Sequence, residues 1–244
     1  MFNKRYRIAE KVIAISSLHQ RVHELCADYL TDDEPDFEVV MSQDDIEYER
    51  IKSEKEDIAE GHEVRRFPDD YLEELGVYRK IATKMVEFDT FLFHGSVIAV
   101  DGEGYLFTAK SGTGKSTHTR LWRQLLGDKA VMINDDKPLI KCDGDSAAVF
   151  GTPWDGKHRL STNTSVPLKA VCILERAEKN RIEKISKKDA YNMLVQQIYR
   201  PNDPQKLIRT LQLIDRLAGS VTLWRLGCNM DIEAAETAYN AMKG

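Results

Sequence analysis

The chain has 244 residues, with 35 lysines and arginines against 40 aspartates and glutamates, a formal net charge of -5. That balance argues against a polyanionic partner, so no nucleic-acid role is expected. Apolar residues make up 42% of the chain, yet the longest apolar run, residues 170–174, is far below the roughly 20 residues of a membrane-spanning helix, so no membrane partner is expected. Glycine and proline, 14 and 7 residues, are too sparse for a disordered or collagen-like chain. Lys4, Arg5 and Arg7 are not followed by a long apolar stretch, and a cytoplasmic location is the expectation. Cys26, Cys142, Cys172 and Cys228 form no Cys-x-x-Cys pair and read as reduced thiols in the interior.

In chain order, residues 1–89 read as an N-terminal α/β scaffold or specificity region, and residues 90–244 as a second region with C-terminal helices, the two allowed to be one continuous domain. Residues 6–15 and 36–41 carry β-branched and aromatic runs suited to strands. The charged stretch 44–60 reads as solvated helical faces and loops. Leu72, Leu75, Tyr78, Ile81, Met85 and Val86 recur at helical spacing, which predicts a helix over 70–88. Residues 96–100, the turn Asp101-Gly-Glu-Gly104 and residues 105–109 read as strand, turn, strand, with Gly102 and Gly104 supplying the turn. A glycine-bearing loop follows, and then a helix over 115–126 with Leu121, Trp122, Leu125 and Leu126 on one stripe. Further strands are expected at 130–133, at 138–141 facing 147–150 across Asp143-Gly144, and at 168–174. The last 55 residues or so read as helical apart from a strand at 221–226.

The loop Ala109-Lys-Ser-Gly-Thr-Gly-Lys-Ser116 fits the phosphate-loop pattern, with Ala109 where the first glycine is usually written. Between a strand and a helix, such a loop points backbone N–H groups and a helix N-terminus at an anion. Ser111, Gly112, Thr113, Gly114, Lys115, Ser116 and Thr117 are therefore the candidate nucleotide-binding residues. Glycines let the amides turn inward, Lys115 supplies a point charge for the phosphates, and the Ser116 hydroxyl is the candidate magnesium ligand. The chain has no Asn-Lys-x-Asp guanine signature, so ATP is the expected nucleotide. Asp135 and Asp136 end a predicted strand about 20 residues further on, where one carboxylate can hold Mg2+ while the other accepts a hydroxyl proton. A hydrated Asn-Asp-Asp turn is the plainer reading. His94, and Lys157 and Arg159 of the loop Gly151-Thr-Pro-Trp-Asp-Gly-Lys-His-Arg159, are candidates for neutralising a transferred phosphoryl group.

Phe93-His-Gly-Ser96, the hairpin, Ser111-Gly-Thr-Gly-Lys-Ser-Thr117 and Asn134-Asp-Asp136, in this order and spacing, resemble the kinase core shared by HPr kinase/phosphorylase and ATP-dependent phosphoenolpyruvate carboxykinase. The resemblance covers roughly residues 90–175. It implies an α/β P-loop kinase core with a mixed, hairpin-rich sheet flanked by helices. It also implies that His94 lies near the transferred phosphate, Asp135 near the metal, and Asp136 at the general-base position. The Arg- and Gly-rich signature by which HPr kinases contact their protein substrate is absent, as are the further motifs of the carboxykinases. The expected class is thus an HPr-kinase-related protein rather than HPr kinase itself. It is expected to transfer the γ-phosphoryl group of ATP, with magnesium, to a hydroxyl, the serine of a peptide, protein or small molecule being favoured. A nucleotide-sensing module without phosphotransfer and an ATP hydrolase are the alternatives. The resemblance allows a homo-oligomer.

Overall fold

The computed structural model describes residues 1–244, which divide into two compact units, Met1–Lys84 and Met85–Gly244. In the first unit, β1 (Phe2–Ile8) and β2 (Lys11–Ser17) form an antiparallel hairpin, α1 (Arg21–Leu25) follows, and β3 (Phe37–Val40) joins β2 in parallel. The run 6–15 is thus interrupted by a turn. Ala9 and Glu10 hold φ of 47° and 67°, and two successive left-handed residues give the turn whose twist matches a hairpin. Neither is the glycine or asparagine that normally announces such a turn.

The charged stretch that reads as helical faces and loops is one helix, α2 (Gln43–Ala59). Ser42 accepts from the Asp45 backbone N–H while the Asp45 carboxylate accepts from the Ser42 N–H, a reciprocal cap that satisfies two otherwise orphaned donors. Following it, α3 (Asp69–Met85) supplies Arg79 to the buried Glu49 of α2, and Lys80 to Asp45 at 2.7 Å.

The second unit is built on one mixed sheet of nine strands. Its chain order begins with β4 (Thr90–Leu92), β5 (Ser96–Val100) and β6 (Glu103–Thr108), then α4 (Lys115–Leu126) and β7 (Ala130–Asn134). There follow the hairpin β8 (Leu139–Asp143) and β9 (Ser146–Phe150), the long β10 (Ser165–Arg176), and β11 (Arg181–Lys184). The chain closes with α5 (Lys187–Gln196), α6 (Pro204–Ser220), β12 (Thr222–Cys228) and α7 (Ile232–Met242). In space the strands run β4-β8-β9-β10-β6-β5-β7, with β12 beside β10 and β11 beside β12. Strand β10 joins two kinds of sheet: residues 165–167 pair antiparallel with β9, whereas its later part lies parallel between β6 and β12.

Alternation along these parallel strands puts apolar groups on both faces, as a strand covered on both sides requires. Tyr105 and Phe107 of β6, with Ala170, Cys172 and Leu174 of β10, pack against Leu121 and Trp122 of α4 and Ala235 and Ala238 of α7. Leu106, Val171 and Ile173 face the other way, onto Leu194 of α5 and Leu213, Ile214 and Leu217 of α6. The result is a mixed α/β unit with helices on both faces of the sheet.

The β5–β6 turn differs from its reading in sequence. Asp101 and Gly102 hold the positive φ angles, 52° and 80°, while Gly104 is already in β6. A Cβ at Gly104 would come within 3.0–3.3 Å of Val166, Val149 and the Pro167 carbonyl, so that glycine serves close strand packing. Trp122, Trp154 and Trp224 are all buried, as are three of the four free cysteines, with Cys228 half-buried. No helix is long and apolar enough to cross a membrane.

Candidate functional site

Strand β6 delivers the chain directly into the loop 109–114, and α4 begins at Lys115. Gly112 and Gly114 adopt φ of 73° and 121°, with Gly114 at the N-cap of α4. A Cβ on Gly112 would meet nothing within 4 Å, so its requirement is conformational rather than steric. Arg176, at the end of β10, donates to the Gly112 carbonyl at 2.5 Å and ties the loop to the neighbouring parallel strand.

The loop opens on a cleft of about 470 Å³. Ser111, Gly112, Gly114, Lys115, Ser116 and Thr117 line one side of it. His94, Asp135, Asp136, Gly156, Lys157 and His158 line the rest. Thr113 lines a neighbouring cavity instead. Arg159, with φ of 51°, is largely exposed and sits 3.9 Å from the Asp155 carboxylate, outside the cleft lining.

The two adjacent aspartates have different surroundings because neighbouring side chains at a strand end diverge. Asp135 turns inward. It is buried, accepts from Ser96 Oγ at 2.6 Å, and is hydrogen-bonded by Ser116. Ser96 in turn lies 2.9 Å from Thr119 Oγ1 of α4. Burial raises the Asp135 carboxyl above the ordinary carboxylate range, and the Ser96 and Ser116 hydrogen bonds oppose that rise without cancelling it. Asp136 faces the open cleft, with Oδ1 3.4 Å from His94 Nε2 and Oδ2 3.2 Å from Lys137 Nζ. Burial and the nearby Lys115 ammonium lower the His94 pKa, although Asp136 pulls the other way. Lys115 is itself lowered by burial, partly offset by the two aspartates.

Asn134 holds this arrangement in place. Its Oδ1 accepts from the backbone N–H groups of Asp136 and Lys137 at 2.9 and 2.7 Å, and its Nδ2 donates to the carbonyl and hydroxyl of Thr152, each at 3.1 Å. The aspartate turn and the Thr152–Trp154 loop are thereby fastened together. Two glycines make the contact close. A Cβ at Gly151 would fall 2.0 Å from the Thr162 carbonyl, and one at Gly156 would stand 3.1 Å from Asp136 Cβ.

Several contributors escape a sequence reading. Thr119 and Arg176 carry no motif of their own, Ser96 enters only as the last residue of Phe93-His-Gly-Ser96, and each gains its role through a partner at least 23 residues away. Asp155 is a second buried acid, holding a hydrogen bond from Ser161 Oγ at 2.9 Å on Oδ2 and none on Oδ1. Burial raises its pKa, and Asp135 adds repulsion. Its position inside the Pro-Trp-Asp-Gly sequence was the one available signal, an acid set among turn and aromatic residues.

No group of three or more His, Cys, Asp or Glu side chains forms a metal cage. Magnesium does not ask for one, since it binds through one or two carboxylates together with substrate oxygens and water. The Ser116 hydroxyl and the Asp135 carboxylate are two hard oxygen donors on the cleft wall, already within hydrogen-bonding reach of each other, and fit that demand.

No curated protein matches the sequence. Among solved structures, the chain is similar to the Hpr(Ser) kinase/phosphatase from Coxiella burnetii, at 12% identity and a TM-score of 0.32, over 63% of this chain and 99% of that one. The sequence profile of the SynChlorMet cassette protein ScmC matches residues 73–205, a segment that contains the glycine loop, both aspartates and the Thr152–Trp154 loop. Since that match takes in more than half of the 244 residues, the chain belongs to the ScmC family.

Proposed function

We propose that this protein is a kinase that transfers the γ-phosphoryl group of ATP, with Mg2+, to a hydroxyl acceptor, a serine of a peptide, protein or small molecule being favoured. The observation that supports this reading is the convergence of a glycine loop at a helix start, Lys115, two aspartates and His94 on one cleft. Phosphoryl transfer needs mainly positioning and charge neutralisation, and these groups supply both.

In this mechanism the amides of residues 111–117 and the Lys115 ammonium bind the phosphates. Ser116 and Asp135 would hold the magnesium ion, which when bound neutralises charge on the β- and γ-phosphate oxygens. Asp136 accepts the acceptor's hydroxyl proton as the new oxygen–phosphorus bond forms and the bond to the β-phosphate oxygen breaks. The products are ADP and a phosphate monoester, with the proton on the Asp136 carboxyl. His94, kept neutral near pH 7 by burial and Lys115, orients Asp136 rather than adding a full positive charge. Lys157, which lines the cleft beside His158, is the cation available to the transferred group.

Purified Asp136→Ala is expected to bind ATP with nearly unchanged affinity and to lose transfer to an acceptor in cell extract supplied with labelled ATP. Lys115→Ala is expected to weaken nucleotide affinity at least tenfold by calorimetry. Unchanged turnover in the first variant or an unchanged dissociation constant in the second overturns the assignment. Steady phosphate release with no acceptor would mark a hydrolase, and binding with no turnover a sensor.

A further inference from the structure

Behind the glycine loop lies a second cavity of about 620 Å³, within the roughly 300–1,000 Å³ of small-molecule sites. It shares Gly112, Gly114 and Thr117 with the cleft that holds the aspartates. Its walls are mainly apolar, built from Leu121 of α4, Leu174 of β10, Ala177, Cys228 of β12 and Met230. Met230 is 77% exposed, a large apolar side chain standing at the rim with most of its surface uncovered.

His118, one turn into α4, also lines this cavity and is 2% exposed. Its Nε2 lies 3.1 Å from Trp122 Nε1. An indole N–H only donates, so Nε2 must carry the lone pair. Burial drives the imidazole pKa down to about 4, which leaves the ring neutral near pH 7 with its single proton on Nδ1. That Nδ1–H is buried and has no partner in the protein. A buried donor without an acceptor is costly, and at a cavity wall a molecule entering the cavity can supply the acceptor. Thr113, Thr117, Arg176, Glu178 and Asn229 also line the wall, and none of them holds a buried side-chain atom without a partner. The Asn229 amide is already engaged with Asp231 at 2.9 and 3.1 Å and with the Glu178 carbonyl at 3.4 Å.

We infer that this cavity receives the purine base of the nucleoside triphosphate, with His118 Nδ1–H donating to a base nitrogen and Leu121, Leu174 and Met230 covering the ring faces. The inference rests on the phosphate-binding reading of the glycine loop and extends it. A triphosphate lying along residues 112–117 with its terminal group toward Asp135 and Asp136 has its nucleoside end on the opposite side of the loop, where this cavity opens. A purine matches the wall chemistry, being flat and largely apolar on its faces, with ring nitrogens that accept at the edge.

The test compares three probes by calorimetry on the full chain with magnesium: ATP, inorganic tripolyphosphate and adenosine. Wild-type protein is expected to bind ATP at least tenfold more tightly than tripolyphosphate. Met230→Asp, at an exposed site that the fold tolerates, and His118→Phe should each weaken ATP by about tenfold and leave tripolyphosphate unchanged. His118→Gln, which can accept from Trp122 or donate into the cavity, should lose less than His118→Phe. Equal affinities for ATP and tripolyphosphate in the wild type, or wild-type ATP binding in both Met230→Asp and His118→Phe, overturns the base site while the glycine loop stands. If adenosine binds and is lost in Met230→Asp while tripolyphosphate does not bind, the base site stands and the loop reading falls. Absence of binding by all three probes removes both.

Discussion

Removal of the Ser96 hydroxyl is the sharpest probe of how Asp135 is held. In Ser96→Ala the buried carboxylate loses its 2.6 Å donor and keeps only Ser116. A hydrogen bond to a charged acceptor contributes roughly 1.5–3 kcal/mol and one to a neutral group about 0.5–1.5. The ionised form therefore loses about 1–1.5 kcal/mol more than the protonated form. That difference lifts an already raised pKa further.

The sign follows from proton counting. A carboxyl raised in the folded state binds more protons there than in the unfolded chain, so its ionisation destabilises the fold as pH rises from the ordinary aspartate value of 3.8 through the folded value. Ser96→Ala enlarges this penalty. Its loss of stability should be about 1.5–3 kcal/mol at pH 7 and shrink to about 0.5–1.5 kcal/mol once pH falls below the folded pKa of Asp135. Urea unfolding of wild type and variant between pH 4 and pH 8 measures the difference directly. A loss that stays constant across that range, or no loss at all, would refute the claim that Ser96 acts on the ionised carboxylate.

Further outcomes are expected from the same physical reasoning. Gly151→Ala sets a Cβ 2.0 Å from the Thr162 carbonyl, and overpacking of this kind should cost about 1–3 kcal/mol by urea midpoint, together with displacement of the Trp154 loop. Asn134→Ala leaves the Asp136 and Lys137 amides without their acceptor, an expected loss of about 1–3 kcal/mol along with phosphotransfer, checked by unfolding and by labelled ATP. In the first unit, Arg79→Met leaves the buried Glu49 carboxylate with only Lys52, at 4.0 Å, and about 3–5 kcal/mol should disappear in chemical unfolding. His94 should titrate below 6.5 by NMR. Because its folded pKa is depressed, its contribution to stability is present above 6.5 and is lost as pH falls from there toward the folded value, and a titration above 6.5 would contradict the burial argument.

Much of the core architecture is legible in the chain because local chemistry dictates it. The uninterrupted apolar runs at 105–107 and 170–174 mark buried strands, and Leu121, Trp122, Leu125 and Leu126 mark the apolar stripe of α4. Gly112 and Gly114 announce left-handed backbone between a strand and a helix. The turn at Ala9 and Glu10 is not legible, since strand pairing imposes φ angles that neither residue prefers. Gly104 is misread for the opposite reason: its glycine is required by Val149 and Val166, both far along the chain.

The glycine-loop motif and the two aspartates were therefore encoded in residue type and spacing, which depend on backbone geometry within a few residues. What distinguishes Asp135 from Asp136, the burial of Asp155, and the position of the His118 proton were decided only by tertiary packing. Burial, a donor from Ser96 and an indole one turn away change the free energy of a charge or a proton through distance and dielectric, and neither quantity is written in the linear order of residues.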